Sequence, residues 1–308
     1  MNDIKTKLSG VFAPIATPFR EEDVFLEGLS SNIEKLNRSG LKGYFVLGTN
    51  GEYKSLSTEE RAEVLKTVVA CRSPDKIIMA GTGAESTKET IELTLMAAGL
   101  GVDMVSLLMP HFFAKKIDDE VLADYIRDVA DRSPVPVLLY NNPSVAAGVT
   151  IGPELIHKVA SHPNLVGIKD SSKQTFKGNL QAAGENLCVL AGSANYFLEL
   201  LSAGGVGGVL SLANVFPDAC AQLYRAFAEG RMEEAERLNL ALVDLNAQVS
   251  GTYGVAGVKA AMDLVGFSGG APRKPIKALT AEQKQQLAEV LKERGYLKRE
   301  KSREQRRR

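Results

Sequence analysis

Cysteine is scarce in this 308-residue chain: there are three, Cys71, Cys188 and Cys220, scattered and odd in number. They make neither a disulfide framework nor a zinc spacing, which fits a reducing cytoplasm. Histidine is equally scarce. His111, His157 and His162 are too few and too separated for a His-rich metal site, so no metal is expected. Long apolar runs are missing too, and nothing approaches the roughly eighteen residues of a membrane helix. The opening stretch MNDIKTKLSGVF has no apolar segment followed by a small-residue cleavage site, so no export signal is expected. Net charge is absent, with 37 Lys and Arg against 37 Asp and Glu, but it is unevenly spread. Residues 298–308 (KREKSREQRRR) carry seven basic and two acidic side chains, a net of +5, which leaves −5 for residues 1–297. That tail alternates in sign and has no aromatic residue for stacking on bases, so neither a nucleic acid nor a membrane is expected as a partner. What remains is the composition of an ordinary soluble globular protein, 44% hydrophobic and 24% charged, which excludes a disordered or collagen-like chain.

What is present is a rhythm. Apolar runs at 10–19, 43–48, 76–83, 103–110, 136–143, 165–172, 186–193 and 207–214 alternate with helical patterns. Nearly continuous apolar runs are the mark of parallel strands covered on both faces. Ser57 with Glu60 and Ser86 with Glu89 each have the spacing of a capping box at a helix start. From Ile117 onward, Val121, Leu122, Tyr125, Ile126 and Val129 make one apolar stripe. Gly40, Gly99 and Gly101 punctuate the returns to the next strand. Eight strand–helix units without an antiparallel interruption predict an α/β fold, a (β/α)8 TIM barrel, over residues 8–225. The rival, a doubly wound dinucleotide-binding sheet, should show G-x-G-x-x-G after an early strand, and none appears. Helical stretches at about 231–248, 254–265 and 280–293, the last opened by Thr280 and Gln283, predict a C-terminal helical extension over 226–297. The basic tail 298–308 would follow it.

A barrel places its chemistry at the C-terminal ends of the strands. Lys169 closes the run Leu165-Val166-Gly167-Ile168, inside a strand rather than on a helix surface. With side chains alternating, it shares the inward face with Gly167. Burial there disfavours the ammonium form, and a neutral amine attacks ketones to give a Schiff base. A strand-end lysine paired with Asp170 or reaching solvent is the plainer alternative. Tyr140 ends Val137-Leu138-Leu139 one strand earlier, where its phenol could move protons for that amine. A core tyrosine bonded to backbone is its plainer alternative. Gly48-Thr49-Asn50-Gly51-Glu52 bends after the second strand, turning backbone and side-chain donors toward a small carboxylate. The glycines at 204, 205, 207 and 208 precede the last strand and so belong to the bottom of the barrel.

GTNGE at 48–52, YNNP at 140–143 and GIKDSS at 167–172, in this order, resemble the dihydrodipicolinate synthase / N-acetylneuraminate lyase family of class I pyruvate aldolases and lyases. Further resemblance lies in APIATPF near the start, LAGSANYF at 190–197 and GGVLSLANVFP at 207–217, so that it covers about residues 8 to 297. The resemblance implies that Lys169 forms the imine with pyruvate and that Tyr140 is the proton-transferring phenol. It implies that Thr49 and Asn50 hold the pyruvate carboxylate, Thr49 passing protons to Tyr140. Gly48 and Val209 would add backbone contacts to the bound keto acid. It also implies a homotetramer built as a dimer of dimers, no metal and no organic cofactor.

Departures from the synthase pattern narrow the expected substrate. Asn50 stands where the synthases usually have a second threonine. Val145 stands where they carry an arginine for the carboxylate of aspartate semialdehyde. His111-Phe112-Phe113 replaces a tyrosine pair, one member of which joins the neighbouring subunit's proton relay. GTNGE, LAGSA and SLANV look more like the 4-hydroxy-2-oxoglutarate aldolase branch. The expectation is a cytoplasmic Schiff-base aldolase or lyase acting between pyruvate and an aldehyde. Alternatives are a dihydrodipicolinate synthase of lysine biosynthesis and, from another class, a non-catalytic barrel that binds a keto acid.

Overall fold

The computed structural model describes residues 2–297, so the basic segment 298–308 lies outside the described residues. Eight parallel strands close into a barrel. They are β1 (Gly10–Pro14), β2 (Gly43–Val46), β3 (Ile77–Gly81), β4 (Met104–Leu108), β5 (Val137–Asn141), β6 (Leu165–Asp170), β7 (Cys188–Ala191) and β8 (Gly207–Val209). Each pairs with its neighbour in sequence, and β8 closes the ring on β1 with Gly10 opposite Gly207, so that Gly207 and Gly208 open the last strand rather than precede it. Residues of β1, β2, β4, β5, β6 and β8 are buried without a break. Helices cover the outside while side chains fill the inside, so neither face of a strand meets water.

The strands stop before their apolar runs do. β1 ends at Pro14 rather than Phe19, β2 at Val46 and β5 at Asn141. The residues beyond curl into turns, including 3₁₀ turns at Tyr53–Ser55, Ala194–Tyr196 and Ser211–Asn214. An alternating or apolar run cannot by itself reveal where pairing gives way to a turn. There is also an antiparallel interruption that the sequence pattern did not suggest. Phe19–Arg20 pairs with Asp23–Val24 in a small hairpin whose turn places Glu21 and Glu22 at φ of 52° and 76°.

Helices α1 (Asn2–Leu8) and α2 (Leu26–Leu36) flank β1 in sequence. Then come α3 (Thr58–Cys71), α4 (Thr87–Gly99), α5 (Asp119–Arg132), α6 (Pro153–Val159), α7 (Phe176–Ala183), α8 (Phe197–Ser202) and α9 (Pro217–Ala228). Ser57 and Glu60 form the full reciprocal box at the start of α3. At α4 only half of the expected box is present: the Ser86 hydroxyl accepts the Glu89 N–H. The stripe on α5 buries Leu122, Tyr125, Ile126 and Val129, but Val121 is 46% exposed and falls off it.

Past β8 the chain forms α10 (Met232–Asn246), α11 (Thr252–Leu264) and α12 (Ala281–Glu293), the last with the complete Thr280–Gln283 box. The first two run almost into each other. A π-helical turn, Ala247–Gly251, joins them, and Gly254 (φ 57°, ψ −141°) kinks the start of α11. Only glycine takes such a backbone without strain, and π turns concentrate at functional sites. These helices are tied into the barrel by a buried ion pair. Lys259 Nζ lies 2.7 Å from Glu52 Oε1 and donates to the Thr17 carbonyl at 2.8 Å. Glu52 Oε2 in turn accepts the Arg273 N–H, and the Arg273 guanidinium grips Glu60 and the Ser55 carbonyl. Such a pair is a modest source of stability when whole and costly when halved, so it fixes the turn after β2 against the C-terminal helices.

Candidate active site

A cavity of about 480 Å³ opens at the C-terminal ends of the strands. Lys169 on β6 and Tyr140 on β5 sit opposite each other in the strand register and both line it. The register slips by one residue between Val137 and Leu138, which leaves Val166 as an extra residue. Gly167 is needed less for room at the amine than for strand contact. A Cβ there would lie 2.5 Å from the Cys188 carbonyl oxygen.

Lys169 is buried, with Nζ 4.0 Å from the Tyr140 ring centre and 4.4 Å from that of Phe45. Burial drives the amine below the ordinary lysine range, opposed by the charge and hydrogen bonding of Tyr140. Asp170, next in sequence, points the other way. Its carboxylate accepts from Asn141 Nδ2, the Ser172 N–H, Thr175 Oγ1 and Asn179 Nδ2. That disposes of the plain alternative in which Asp170 pairs with the lysine. The same network locks the end of β6 to β5, one residue beyond Lys169 and Tyr140.

The Tyr140 oxygen is 3.0 Å from Thr49 Oγ1 and accepts from Asn142 Nδ2 at 2.8 Å. It is therefore bonded to side chains, not to backbone as a plain core tyrosine would be. Burial raises its affinity for the proton, but the Lys169 charge and the bonds from Thr49 and Asn142 outweigh burial and hold the phenol below its usual range. A depressed amine beside a depressed phenol, in a cleft, is an arrangement suited to proton transfer during amine addition to a carbonyl.

The turn after β2 delivers Thr49 and Asn50 to the cavity. The Gly51 and Glu52 N–H groups close it on the Gly48 and Thr49 carbonyls. What it presents comes from Thr49, which is exposed to the cavity, and from Asn50, whose Nδ2 donates to Ser211 Oγ at 2.9 Å. Val209 lines the cavity at the end of β8, whereas Gly48 packs against the Phe45 ring outside the lining. His111 is placed at the rim. Its Nδ1 is 3.1 Å from the Met109 carbonyl oxygen and 3.3 Å from Glu85, apart from the residues that line the cavity.

Three contributions were not anticipated from sequence. Ser250, Gly254 and Val255, from the π turn and the kink, form part of the cavity wall, so the C-terminal helices complete the site. The Lys259–Glu52 pair anchors the turn that carries Thr49; a lysine inside the apolar stretch GVAGVKAAMDL was the available signal. Asn142 bonds the phenol directly, whereas in the sequence it stood only as a polar strand-end residue within YNNP, with no role assigned. Among the described residues no group of three or more His, Cys, Asp or Glu is placed to hold a metal, and no helix is long and apolar enough to cross a membrane.

Comparison with known proteins agrees with this geometry. The profile of the dihydrodipicolinate synthetase family matches residues 7–294. The chain is 34% identical over 301 residues to a probable mitochondrial 4-hydroxy-2-oxoglutarate aldolase of Emericella nidulans, covering 94% of this chain and 96% of that protein. It is also 34% identical over 286 residues to a 4-hydroxy-tetrahydrodipicolinate synthase of Methanothrix thermoacetophila, covering 92% and 95%. Among solved structures, it superposes with a TM-score of 0.87 on a prophage protein of the dihydrodipicolinic acid synthase family from E. coli K12 in complex with pyruvate. The identity there is 27%, with 94% of this chain and 99% of that one covered.

Proposed function

The chain belongs to the dihydrodipicolinate synthetase family of carbon–carbon lyases, and on that premise we propose that it is a Schiff-base aldolase acting on a 4-hydroxy-2-oxo acid such as 4-hydroxy-2-oxoglutarate. The observation that carries the reading is the buried Lys169 amine in contact with a phenol that is itself bonded to Thr49. In the cleavage direction the Lys169 nitrogen adds to the 2-oxo carbon. Tyr140 carries a proton to the resulting hydroxyl, which leaves as water and gives the imine. Tyr140 takes the 4-hydroxyl proton, and the bond between the third and fourth carbons then breaks. An aldehyde departs, and the electron pair of the broken bond passes into the imine to give the enamine of pyruvate. Protonation of the enamine carbon and hydrolysis release pyruvate and free the amine. Thr49 and Asn50 are assigned to the pyruvate carboxylate and Val209 to backbone support around it, while Gly48, outside the lining, shapes the turn that carries Thr49.

The second reading, condensation of pyruvate with aspartate semialdehyde, has the Methanothrix relative's name in its favour. Against it stands the cavity wall. The charged residues lining it are Glu52, Lys54 and Lys169, with Glu52 spent on Lys259 and Lys54 beside Glu85; no arginine lines it among the described residues. Position 145, where the synthases would bring an arginine, offers the half-exposed isopropyl group of Val145. Losing a charge-assisted bond of that kind costs about 1.5–3 kcal/mol, on the order of 10- to 150-fold in affinity. The distal carboxylate of 4-hydroxy-2-oxoglutarate bears the same cost, so the wall favours most a 4-hydroxy-2-oxo acid without a second carboxylate. Assaying both reactions on one preparation should therefore give measurable pyruvate release from 4-hydroxy-2-oxo acids and weak or no condensation. Val145→Arg should raise the condensation. Higher catalytic efficiency with aspartate semialdehyde would reverse the order of the two readings.

The reading extends to assembly. Phe112 and Phe113 are 77% and 68% exposed, packed edge to face at 5.0 Å, on a loop held by the Glu85 carboxylate through the His111 and Phe112 N–H groups. Two adjacent exposed phenylalanines on a rigidly held loop suit a subunit contact. A tetramer is expected by light scattering, with Phe112→Ser/Phe113→Ser shifted to smaller species. A fully active monomer would contradict it.

A further inference from the structure

We propose that Asn142 is a positioning residue for the reaction, its side-chain amide donating to the Tyr140 oxygen and thereby favouring the proton-accepting form of that phenol. The contact is short, 2.8 Å from Nδ2 to the phenol oxygen, and the other end of the amide is held as well. Ser144 Oγ donates to Asn142 Oδ1 at 2.6 Å, which keeps the carbonyl turned away from Tyr140 and the N–H₂ turned toward it. The three residues lie within five positions of one turn, at the mouth of the same cavity. Tyr140 thus meets three polar side chains: Lys169 beside its ring, Thr49 and Asn142 at its oxygen.

The roles of the three differ. Thr49, a hydroxyl, can give or take a proton. Lys169 changes charge during the reaction. Asn142 can only donate through Nδ2, and a donor to a phenol oxygen is worth more to the anion than to the neutral group. The other titratable groups coupled to this phenol are Tyr53, from the turn after β2, and Tyr196, from the turn after β7. Both are pushed well above the ordinary tyrosine range by burial, so they remain neutral where Tyr140 titrates and supply no charge of their own. The depressed phenol of Tyr140 agrees with this placement.

The inference rests on Tyr140 as the proton carrier proposed above, so its test reads the phenol directly as well as the rate. Protein carrying tyrosine labelled with carbon-13 at Cζ is titrated by NMR, the Tyr140 signal being the one lost in Tyr140→Phe. Asn142→Val should move the midpoint upward by about one pH unit or more, the worth of a hydrogen bond to a charged group. Asn142→Asp, which replaces the donor by an acceptor of the same shape, should move it further in the same direction. The low-pH limb of kcat/KM for cleavage should shift with the midpoint. At neutral pH kcat should fall about tenfold with KM changed much less. In the Tyr140→Phe background, Asn142→Val should cost nothing further. A residue that served only to shape the turn would lower thermal stability and leave the midpoint in place.

Should Asn142→Val fail to fold, Ser144→Ala releases the amide without touching Tyr140 and should give a smaller upward shift. An unchanged midpoint overturns the proposal. A downward shift also overturns it, since that requires the carbonyl to face the phenol, and so does an additive loss in the double variant. An upward shift in a protein without aldolase activity would leave the Asn142 contact standing and sink the proposed function instead.

Discussion

Lys169→Ala is expected to lose turnover to the background of the uncatalysed reaction while remaining folded. The amine is the only atom in the cavity that forms a bond to substrate in the proposed reaction, and nothing adjacent can take its place. Lys54 lines the cavity but stands at its rim beside Glu85, and Lys259 is committed to Glu52 and the Thr17 carbonyl. Stability should not suffer in proportion. Lys169 contributes a buried amine whose charged form is disfavoured by desolvation, so its removal relieves that cost while it gives up contacts with the Phe45 and Tyr140 rings. Steady-state assay of pyruvate release, with thermal unfolding as the control, checks both halves. Retained turnover in a folded Lys169→Ala protein would mean that the reaction does not pass through this residue.

Tyr140→Phe should lower kcat by about 10²–10⁴, the usual worth of a positioned acid–base group. The substitution keeps the ring that packs edge-on at 5.8 Å against Phe45 and that flanks the Lys169 amine. It deletes only the oxygen that Thr49 and Asn142 contact. Pyruvate binding should therefore survive more nearly intact than turnover. The sign of the pH dependence follows from the two groups. With the phenol held below its ordinary range, the wild-type rate should rise as pH climbs through the Tyr140 midpoint. In Tyr140→Phe the part of that limb set by the phenol should be lost, leaving the part set by the Lys169 amine, which must be neutral to add to the carbonyl. Wild-type turnover in this variant would reduce Tyr140 to packing.

The barrel was legible because its eight strands are apolar throughout, a pattern that survives any uncertainty about where each one ends. Lys169 was legible for the opposite reason: a cation closing an apolar run has to be explained. The ends of the strands were not legible, since Thr17, Gly48 and Asn214 continue the apolar runs in sequence but turn away from the ladder in space. Nor was the part of the site built after β8. Ser250 and Gly254 are unremarkable letters in a helical stretch, and only the π turn and the kink at Gly254 bring them over the barrel mouth. The phenol's environment shows the same limit from another side. Tyr140 could be singled out as the polar end of β5, but the bond from Asn142 depends on the path of a turn that an Asn-Pro pair does not specify.

The central claim is that Lys169 forms an imine with a 2-oxo acid. Incubating the wild-type protein with pyruvate, reducing with borohydride and mapping the modified peptide by mass tests it directly, because reduction traps only a Schiff base. One reduced three-carbon acid on Lys169, absent when pyruvate or borohydride is withheld, is the predicted result. An adduct on another lysine, or none at saturating pyruvate, would contradict it.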